Sequence, residues 1–341
     1  MARKRVEWID VLKLLGIVAV FGGHCGTNTG GLHDFVFHYH VPLFFFAAGI
    51  FADSLEDLRM GEAVRKKWKQ IMLPYLFFVM ISMLIIILTT NESARTYMAY
   101  IKQFVFGIRN QMYASSLWFF PCLFCMCIMF DVLRRVLKKP VLLLLASLIL
   151  YFVTIFLLPN NPGVTPSWIF NIDSAMHYTI YYAIGYLARG KLKEERTDFS
   201  VRDRIFQLAS VIFLAGYAVL VYLRIDNFTA CFYEVIPGIK YIYPIIHTLL
   251  LIGFQIVLAK LLAGTGNLHE VGTQTMWLCG NEFVVKKIFT ALADMVGVQI
   301  EISSAFSAIV YVFILICFIY QLLLPWEKKL YQKCLAYFCL Y

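Results

Sequence analysis

The chain has 341 residues, of which 61% are hydrophobic and only 15% are charged, with a formal net charge of +9. Soluble globular domains carry about 25% charged residues, so this composition excludes a soluble globular protein. Apolar runs recur from Trp8 to Leu324 without a long polar stretch between them. The whole chain, residues 1–341, is therefore predicted to be a single transmembrane domain with no soluble domain.

Ten apolar segments each approach the roughly twenty residues that a helix needs to cross the hydrocarbon core. Runs such as Ile81–Leu88 are continuous and do not alternate, which favours helices over the strands of a barrel. The predicted fold class is all-α, a polytopic membrane bundle of about ten transmembrane helices. In chain order the predicted spans are residues 8–25, 35–52, 72–90, 115–133, 140–158, 172–188, 205–224, 240–262, 275–295 and 304–324.

The distribution of Lys and Arg predicts the orientation, because these residues are held back on the cytoplasmic side. With ten spans, one side holds 22 of the 30 Lys and Arg residues and the other side holds 5. The richer side includes both ends of the chain, with Arg3, Lys4 and Arg5 at the start. Both termini are therefore predicted to be cytoplasmic. The positive charge is interpreted as a topology signal and not as a nucleic-acid site.

The first predicted helix contains Asp10, Lys13 and His24. Ionisable side chains inside a span are costly enough to be functional candidates. Lys13 and His24 lie eleven residues apart, which places them on one face and about 16 Å apart along the axis. Asp10 lies three residues before Lys13 and can pair with it. The alternative is that Asp10 and Lys13 only neutralise each other and that His24 is a structural interfacial histidine.

The second predicted span contains His38, Tyr39 and His40 near its start. Two histidines that are two residues apart face opposite sides of a helix, so at most one of them can share a site with His24. Pro42 frees a backbone carbonyl near the helix start, and small residues around Gly49 let another helix approach closely. The histidines have no nearby carboxylate in the sequence that could complete a metal site, and the nine Cys lack the spacing of metal ligands. No metal is therefore predicted.

The ninth predicted span contains Glu282, Lys286, Lys287 and Asp294. It is more polar than a lipid-facing helix, so it is expected to face the bundle interior or a water-filled cavity. Glu282 is the best carboxylate to orient His24, if this helix packs against the first. Lys286 lies four residues after Glu282, and a salt bridge within the helix is the alternative for that pair.

Several segments, taken together and in order, resemble the acyltransferase-3 family of membrane O-acyltransferases. Lys13 and His24, with ten residues between them, are similar to the Arg/Lys-x10-His motif of that family. The other similar segments are His40-Val41-Pro42-Leu43-Phe44-Phe45-Phe46, Lys66-Lys67 before Leu73-Pro74-Tyr75-Leu76, Leu117-Trp118-Phe119-Phe120 and Gly185-Tyr186-Leu187.

The segment from Gly272 to Glu282 is similar to the family's Gly-x-x-Ser/Thr-hydrophobic motif but departs from it at its end. Asn281 and Glu282 stand where many members carry His. This variant resembles the membrane portion of vancomycin-resistance serine racemases. Lys13 also replaces the commoner Arg, and an ammonium cannot make the bidentate contacts of a guanidinium.

The resemblance implies that an acyl group, usually acetyl from acetyl-CoA, is transferred to a hydroxyl of an extracytoplasmic carbohydrate or cell-envelope glycan. The location that it implies is the bacterial cytoplasmic membrane. In this interpretation His24 is the general base and Glu282 orients it. Residues expected to bind the acyl-CoA donor are Lys13, Asp10, Arg65, Lys66 and Lys67, and residues expected to bind the acceptor are His38, His40 and Trp118.

Two of these assignments have simpler alternatives. The basic residues 65–67 also fit the topology rule, and Trp118 also fits the aromatic belt of a membrane interface. The competing functional hypothesis is a transporter of a small polar substrate, such as an amino acid or a sugar, that uses the same intramembrane residues without chemistry. The expected partners are acyl-CoA, a glycan acceptor and the lipid bilayer. The oligomeric state stays open, with a homodimer among the options.

Overall fold

The computed structural model describes residues 6–194, 201–225, 236 and 238–337, and every regular element in this part of the chain is helical. Arg3, Lys4 and Arg5 lie outside the described residues. Among these described residues, five helices are long and apolar enough to cross a membrane by length and composition. The prediction of an all-helical membrane protein is thus confirmed. The count of about ten spans and the side on which the termini lie stay predictions.

The helices are numbered in chain order, and α4, α6, α9, α10 and α13 are the five candidate spans. Their bounds are α1 (Glu7–Gly23), α2 (Gly31–Phe37), α3 (His40–Ile50), α4 (Met60–Thr89), α5 (Ala94–Phe106), α6 (Ser115–Val136), α7 (Pro140–Phe156), α8 (Ile172–Lys193), α9 (Val201–Tyr222), α10 (Ile239–Leu262), α11 (Leu268–Gly272), α12 (Thr275–Met295) and α13 (Ala305–Tyr337).

A helix occupies each of the ten predicted segments, but the single helix predicted for residues 35–52 is wrong. The helix is interrupted at His38 and Tyr39, between α2 and α3. Pro42 has no N–H to donate to the carbonyl of His38, four residues earlier. The hydroxyl of Thr248 donates to that carbonyl instead, at 2.9 Å. The carbonyl expected to be freed by Pro42 therefore has a partner from another helix.

Two other helices extend beyond their predicted spans. The helix predicted for residues 72–90 begins at Met60, and the one predicted for 304–324 continues to Tyr337. Each contains one wider turn, at Trp68–Met72 and at Ile319–Leu323, two residues before a proline. A proline removes one i→i−4 hydrogen bond, and the wider turn carries the helix past it.

α1 is the core helix of the first of two compact units. This unit includes the described residues up to Ala47, Arg189–Thr275 and Glu301–Ile314. α1 is buried on most sides and packs against α2, α10 and α11. Leu43 also packs closely on it, because a Cβ on Gly16 would lie 2.9 Å from the Leu43 side chain. Asp10 therefore lies inside protein, whereas Glu7 at the start of α1 is exposed.

The second unit contains Ala48–Ala188, Met276–Ile300 and the residues from Leu315 onwards. Gly49 lies against the backbone carbonyl of Tyr182, which confirms the expected close helix approach at this glycine. Asp131 accepts from both Arg134 and Arg135, at 2.6 and 2.8 Å. These bonds neutralise a buried carboxylate at one end of α6.

Candidate active site

The charged pair of α1 forms as expected. Nζ of Lys13 lies 2.6 Å from Oδ1 of Asp10, and the Asp10 side chain is 6% exposed. The Lys13 side chain is 23% exposed, so its ammonium is only partly removed from solvent. A buried carboxylate without such a partner would be strongly destabilising. The pair therefore has a structural role, whatever else Lys13 binds.

Gly272, the first residue of the late motif Gly272–Glu282, lies against the backbone of Asp10. Gly272, at the end of α11, packs so closely on α1 that any Cβ at this position would collide with the backbone carbonyl of Asp10. Only glycine leaves room for two backbones at this distance. This contact joins the late motif to the first helix and holds the backbone from which Asp10 and Lys13 project.

Replacing Gly272 with Ala is expected to lower the free energy of unfolding by about 2 kcal/mol, because the atom it meets belongs to a backbone and cannot rotate away. Gly216→Ala in α9 of the same unit is the matched control, since no atom lies within 4 Å of its Cβ position. That variant should be as stable as the native chain or slightly more so. Thermal unfolding in one detergent compares the two. Equal stability of the two variants would contradict this account of Gly272.

His24 follows α1 directly as its C-terminal cap. Its backbone N–H donates to the carbonyl of Val20, at 3.1 Å, and its side chain is half-buried. A histidine at this place is held by the last turn of the helix, and its ring is partly exposed although Nδ1 is buried. His24 and the Asp10–Lys13 pair are thus carried by one rigid element of the first unit.

The other two candidate histidines differ in their surroundings. His40 is buried, and its Nδ1 donates to the carbonyl of Val36, at 2.8 Å. His38 is exposed, and its ring meets the ring of His247 edge-on, at 4.6 Å between centroids. His247 is buried in α10, and its Nδ1 lies 2.6 Å from Oη of Tyr217. Of the two rings, that of His38 is the more exposed.

In the second unit, Glu282 is 3% exposed and forms a salt bridge with Lys286, one turn later in α12. The alternative of an ion pair within the helix is therefore confirmed. The preceding residue, Asn281, is fully buried, and its Nδ2 donates to Oε2 of Glu327 in α13, at 2.6 Å. The first half of α12 is therefore fixed by two adjacent polar contacts.

His24 belongs to the first unit and Glu282 to the second, so the orientation of His24 by Glu282 stays a prediction. Arg65 is exposed, and Lys66 and Lys67 are half-buried, on the first turns of α4.

Trp118 is only 7% exposed, and the guanidinium of Arg109 lies 4.7 Å from its ring centroid. The side chain of Trp118 is thus packed inside the protein. Its binding of a sugar stays a prediction.

Comparison with known proteins identifies the family. A family model described as an acyltransferase domain matches residues 6–320, which is most of the chain. The chain belongs to the acyltransferase-3 family. No curated protein and no solved structure gave a significant match. The match begins before Asp10 and Lys13 and extends past Glu282, so every candidate residue lies within the acyltransferase domain.

Sequence reasoning missed two polar groups of this acyltransferase-3 chain. One is His247 with Tyr217 and Tyr243, whose hydroxyls lie 2.6 and 3.3 Å from its Nδ1. The other is Glu327 with its partner Asn281. His247 interrupts an apolar run, which is a usable signal. Glu327 follows the last apolar run, so it resembled the start of a polar tail.

Proposed function

We propose that the protein transfers an acyl group, most simply acetyl, from a cytoplasmic acyl-CoA to a hydroxyl of an extracytoplasmic carbohydrate or cell-envelope glycan. Membership of the acyltransferase-3 family, over residues 6–320, is the observation that carries this proposal. The arrangement of α1 supports it, because this buried helix carries a charged pair and is followed directly by a half-buried histidine.

In the proposed reaction His24 is the general base. Its imidazole takes the proton of the acceptor hydroxyl, and the oxygen attacks the thioester carbonyl. The C–S bond then breaks, and the imidazolium returns the proton to the CoA thiolate. Glu282 would orient the ring and stabilise its charged form, as the carboxylate does in hydrolase triads.

Lys13, paired with Asp10, would bind the donor by its ammonium, and Arg65, Lys66 and Lys67 would bind the CoA phosphates. His38, His40 and Trp118 would line the acceptor side. Of the donor-binding residues, Arg65 is the most exposed, which suits a phosphate arriving from water.

Glu282→Gln is expected to lower kcat roughly 100-fold with little change in KM for acyl-CoA, since the amide fills the space but does not stabilise an imidazolium. Lys286→Gln is the matched control, because it breaks the same ion pair and leaves the carboxylate in place. Steady-state kinetics on both variants separate the roles. An equal loss in Lys286→Gln would assign the effect to the ion pair and contradict the orienting role.

The proposed topology has about ten spans with both termini in the cytoplasm, in the cytoplasmic membrane of a bacterium. A reporter fused after Tyr341 is expected to read as cytoplasmic, and reporters inserted within residues 92–115 or 160–173 as external. An external reading at Tyr341 would contradict an even number of spans with a cytoplasmic N-terminus.

A transporter of a small polar substrate is the second candidate function. The observation that favours it is the Asn281-Glu282 sequence, which resembles the membrane portion of vancomycin-resistance serine racemases. Ionisable side chains in the bundle would then form a pathway for the substrate or for protons.

One experiment separates the two functions. The purified protein is given acetyl-CoA and cell-envelope glycan fragments, and free CoA and acetylated product are measured. In parallel, proteoliposomes are tested for uptake of radiolabelled amino acids and sugars. Release of CoA together with acetylated glycan supports the enzyme. Uptake without CoA release supports the transporter and overturns the proposed function.

A further inference from the structure

Helix α5 lies between the candidate spans α4 and α6 in the second unit, and it exposes large apolar side chains. Residues 98, 101 and 105 follow the i, i+3, i+7 spacing of one helix face. The exposed side chains are Met98 (55%), Ile101 (43%), Val105 (63%) and, at the end of the helix, Phe106 (45%). Such a stripe on a water-exposed loop helix would be unfavourable.

A face of α5 next to this stripe is attached to α4 at two places. Oη of Tyr97 donates to the carbonyl of Thr90, at 2.8 Å, just after the end of α4. Oη of Tyr75, near the middle of α4, donates to the carbonyl of Phe104. Phe104 itself is buried, at 2% exposed. The start of α5 therefore lies near the end of α4, and the end of α5 lies near the middle of α4.

These contacts make α5 run back along α4. Thr90 and Tyr75 lie about 22 Å apart along α4, and Tyr97 and Phe104 about 10 Å apart along α5. The two contacts nevertheless order the helices in opposite directions, because the start of α5 is attached to the end of α4 and the end of α5 to a residue earlier in α4. α5 is thus antiparallel to the last turns of α4 and at the same depth.

This part of α4 is the most apolar of the candidate spans and exposes its own apolar side chains. They are Met80 (62%), Leu84 (55%), Ile87 (51%) and Leu88 (71%). Because a membrane span exposes such residues to lipid, the exposed stripe of α5, a helix attached to α4, is suited to contact with the same lipid.

Backbone groups that follow the C-terminal end of α5 also have hydrogen-bond partners within the protein, as a segment at membrane depth requires. Nδ2 of Asn171 donates to the carbonyl of Gly107, and the N–H of Arg109 donates to Oδ1 of Asn171, at 2.8 Å. Asn171 is fully buried. At the N-terminal end of α5, Oγ of Ser93 accepts from the N–H of Thr96, at 3.2 Å.

We propose that α5 is a re-entrant helix that dips into the bilayer beside α4, with its Met98–Ile101–Val105 face in contact with lipid acyl chains. Lys102 borders this face. Helix side chains lean towards the N-terminus, so the stem of Lys102 extends towards the headgroups, where its ammonium remains hydrated. The proposal rests on the chain being a membrane protein and not on acyl transfer.

The test uses the native protein in liposomes that contain a phospholipid with a photoactivatable carbene precursor at the end of one acyl chain. Labelled residues are read by mass spectrometry, with a water-soluble carbene precursor in a parallel sample. Met98, Ile101 and Val105 should be labelled from the lipid to within about threefold of Leu84, and at least about tenfold more than buried Phe104. Exposed Glu62 should be labelled only from water.

Labelling of the α5 stripe by the water-soluble reagent would overturn the proposal and place α5 in an aqueous loop. Labelling by neither reagent would also overturn it, since the stripe would then be covered by a second copy of the chain. Both results leave the acyl-transfer assay unaffected, so failure of this proposal is distinguishable from failure of the proposed function.

Discussion

His24→Ala is expected to lower acyl transfer by about 100- to 10,000-fold, because that is the usual contribution of a general base. The ring lies beyond the last turn of α1 and is half-buried, so its removal should leave folding nearly unchanged. Transfer of radiolabelled acetyl by the purified variant measures the effect, with thermal unfolding as the check on folding.

His33→Ala is the matched control for His24. His33 is another half-buried histidine of the first unit, and its Nδ1 lies 3.1 Å from Oδ1 of Asp34. It has no proposed part in the reaction, so this variant should keep the native activity. If His24→Ala retained more than a tenth of the native rate, His24 would not be the base.

Lys13→Ala is expected to show two large effects at once. The Asp10 carboxylate loses its ion-pair partner in a buried place, which should lower the free energy of unfolding by about 3 kcal/mol. The donor loses a charged contact, which should raise the Kd of acyl-CoA about 10- to 100-fold. Lys13→Arg keeps the charge and should be tolerated in both measurements.

A double variant separates the two effects. Asp10→Asn combined with Lys13→Ala removes the whole pair, so it should recover much of the stability that Lys13→Ala loses. Its affinity for acyl-CoA should stay low if Lys13 binds the donor. Titration calorimetry below the unfolding temperature measures this affinity. Recovery of both stability and affinity in the double variant would make Asp10–Lys13 a structural pair only.

The fold class and the ion pairs within single helices could be predicted from the sequence. Composition sufficed for the helical membrane class, and the i, i+3 spacing of Asp10 and Lys13 sufficed for their ion pair. The Glu282–Lys286 pair was likewise visible as an alternative, since both partners lie one turn apart. In each of these pairs both partners belong to one helix, and helix geometry alone brings them together.

Contacts between helices could not be predicted in the same way. Nothing in residues 35–52 shows where the carbonyl of His38 finds a donor, because Thr248 comes from α10. The same holds for Gly272 on the backbone of Asp10 and for Asn281 with Glu327. Hydropathy marks which segments are buried but not which helices are neighbours. The continuation of α13 past residue 324 could not be predicted from hydropathy either, because its last turns are polar.

In the proposed reaction, an acyl group passes from cytoplasmic acyl-CoA to an acceptor on the other side of the membrane, with His24 as base. Proteoliposomes loaded with cell-envelope glycan fragments and given radiolabelled acetyl-CoA only on the outside test it directly. Vesicles with the native protein should accumulate labelled O-acetyl groups on the trapped glycan, and vesicles with His24→Ala should not. Label confined to glycan added on the same side as acetyl-CoA, or equal label with the His24→Ala variant, would contradict the account.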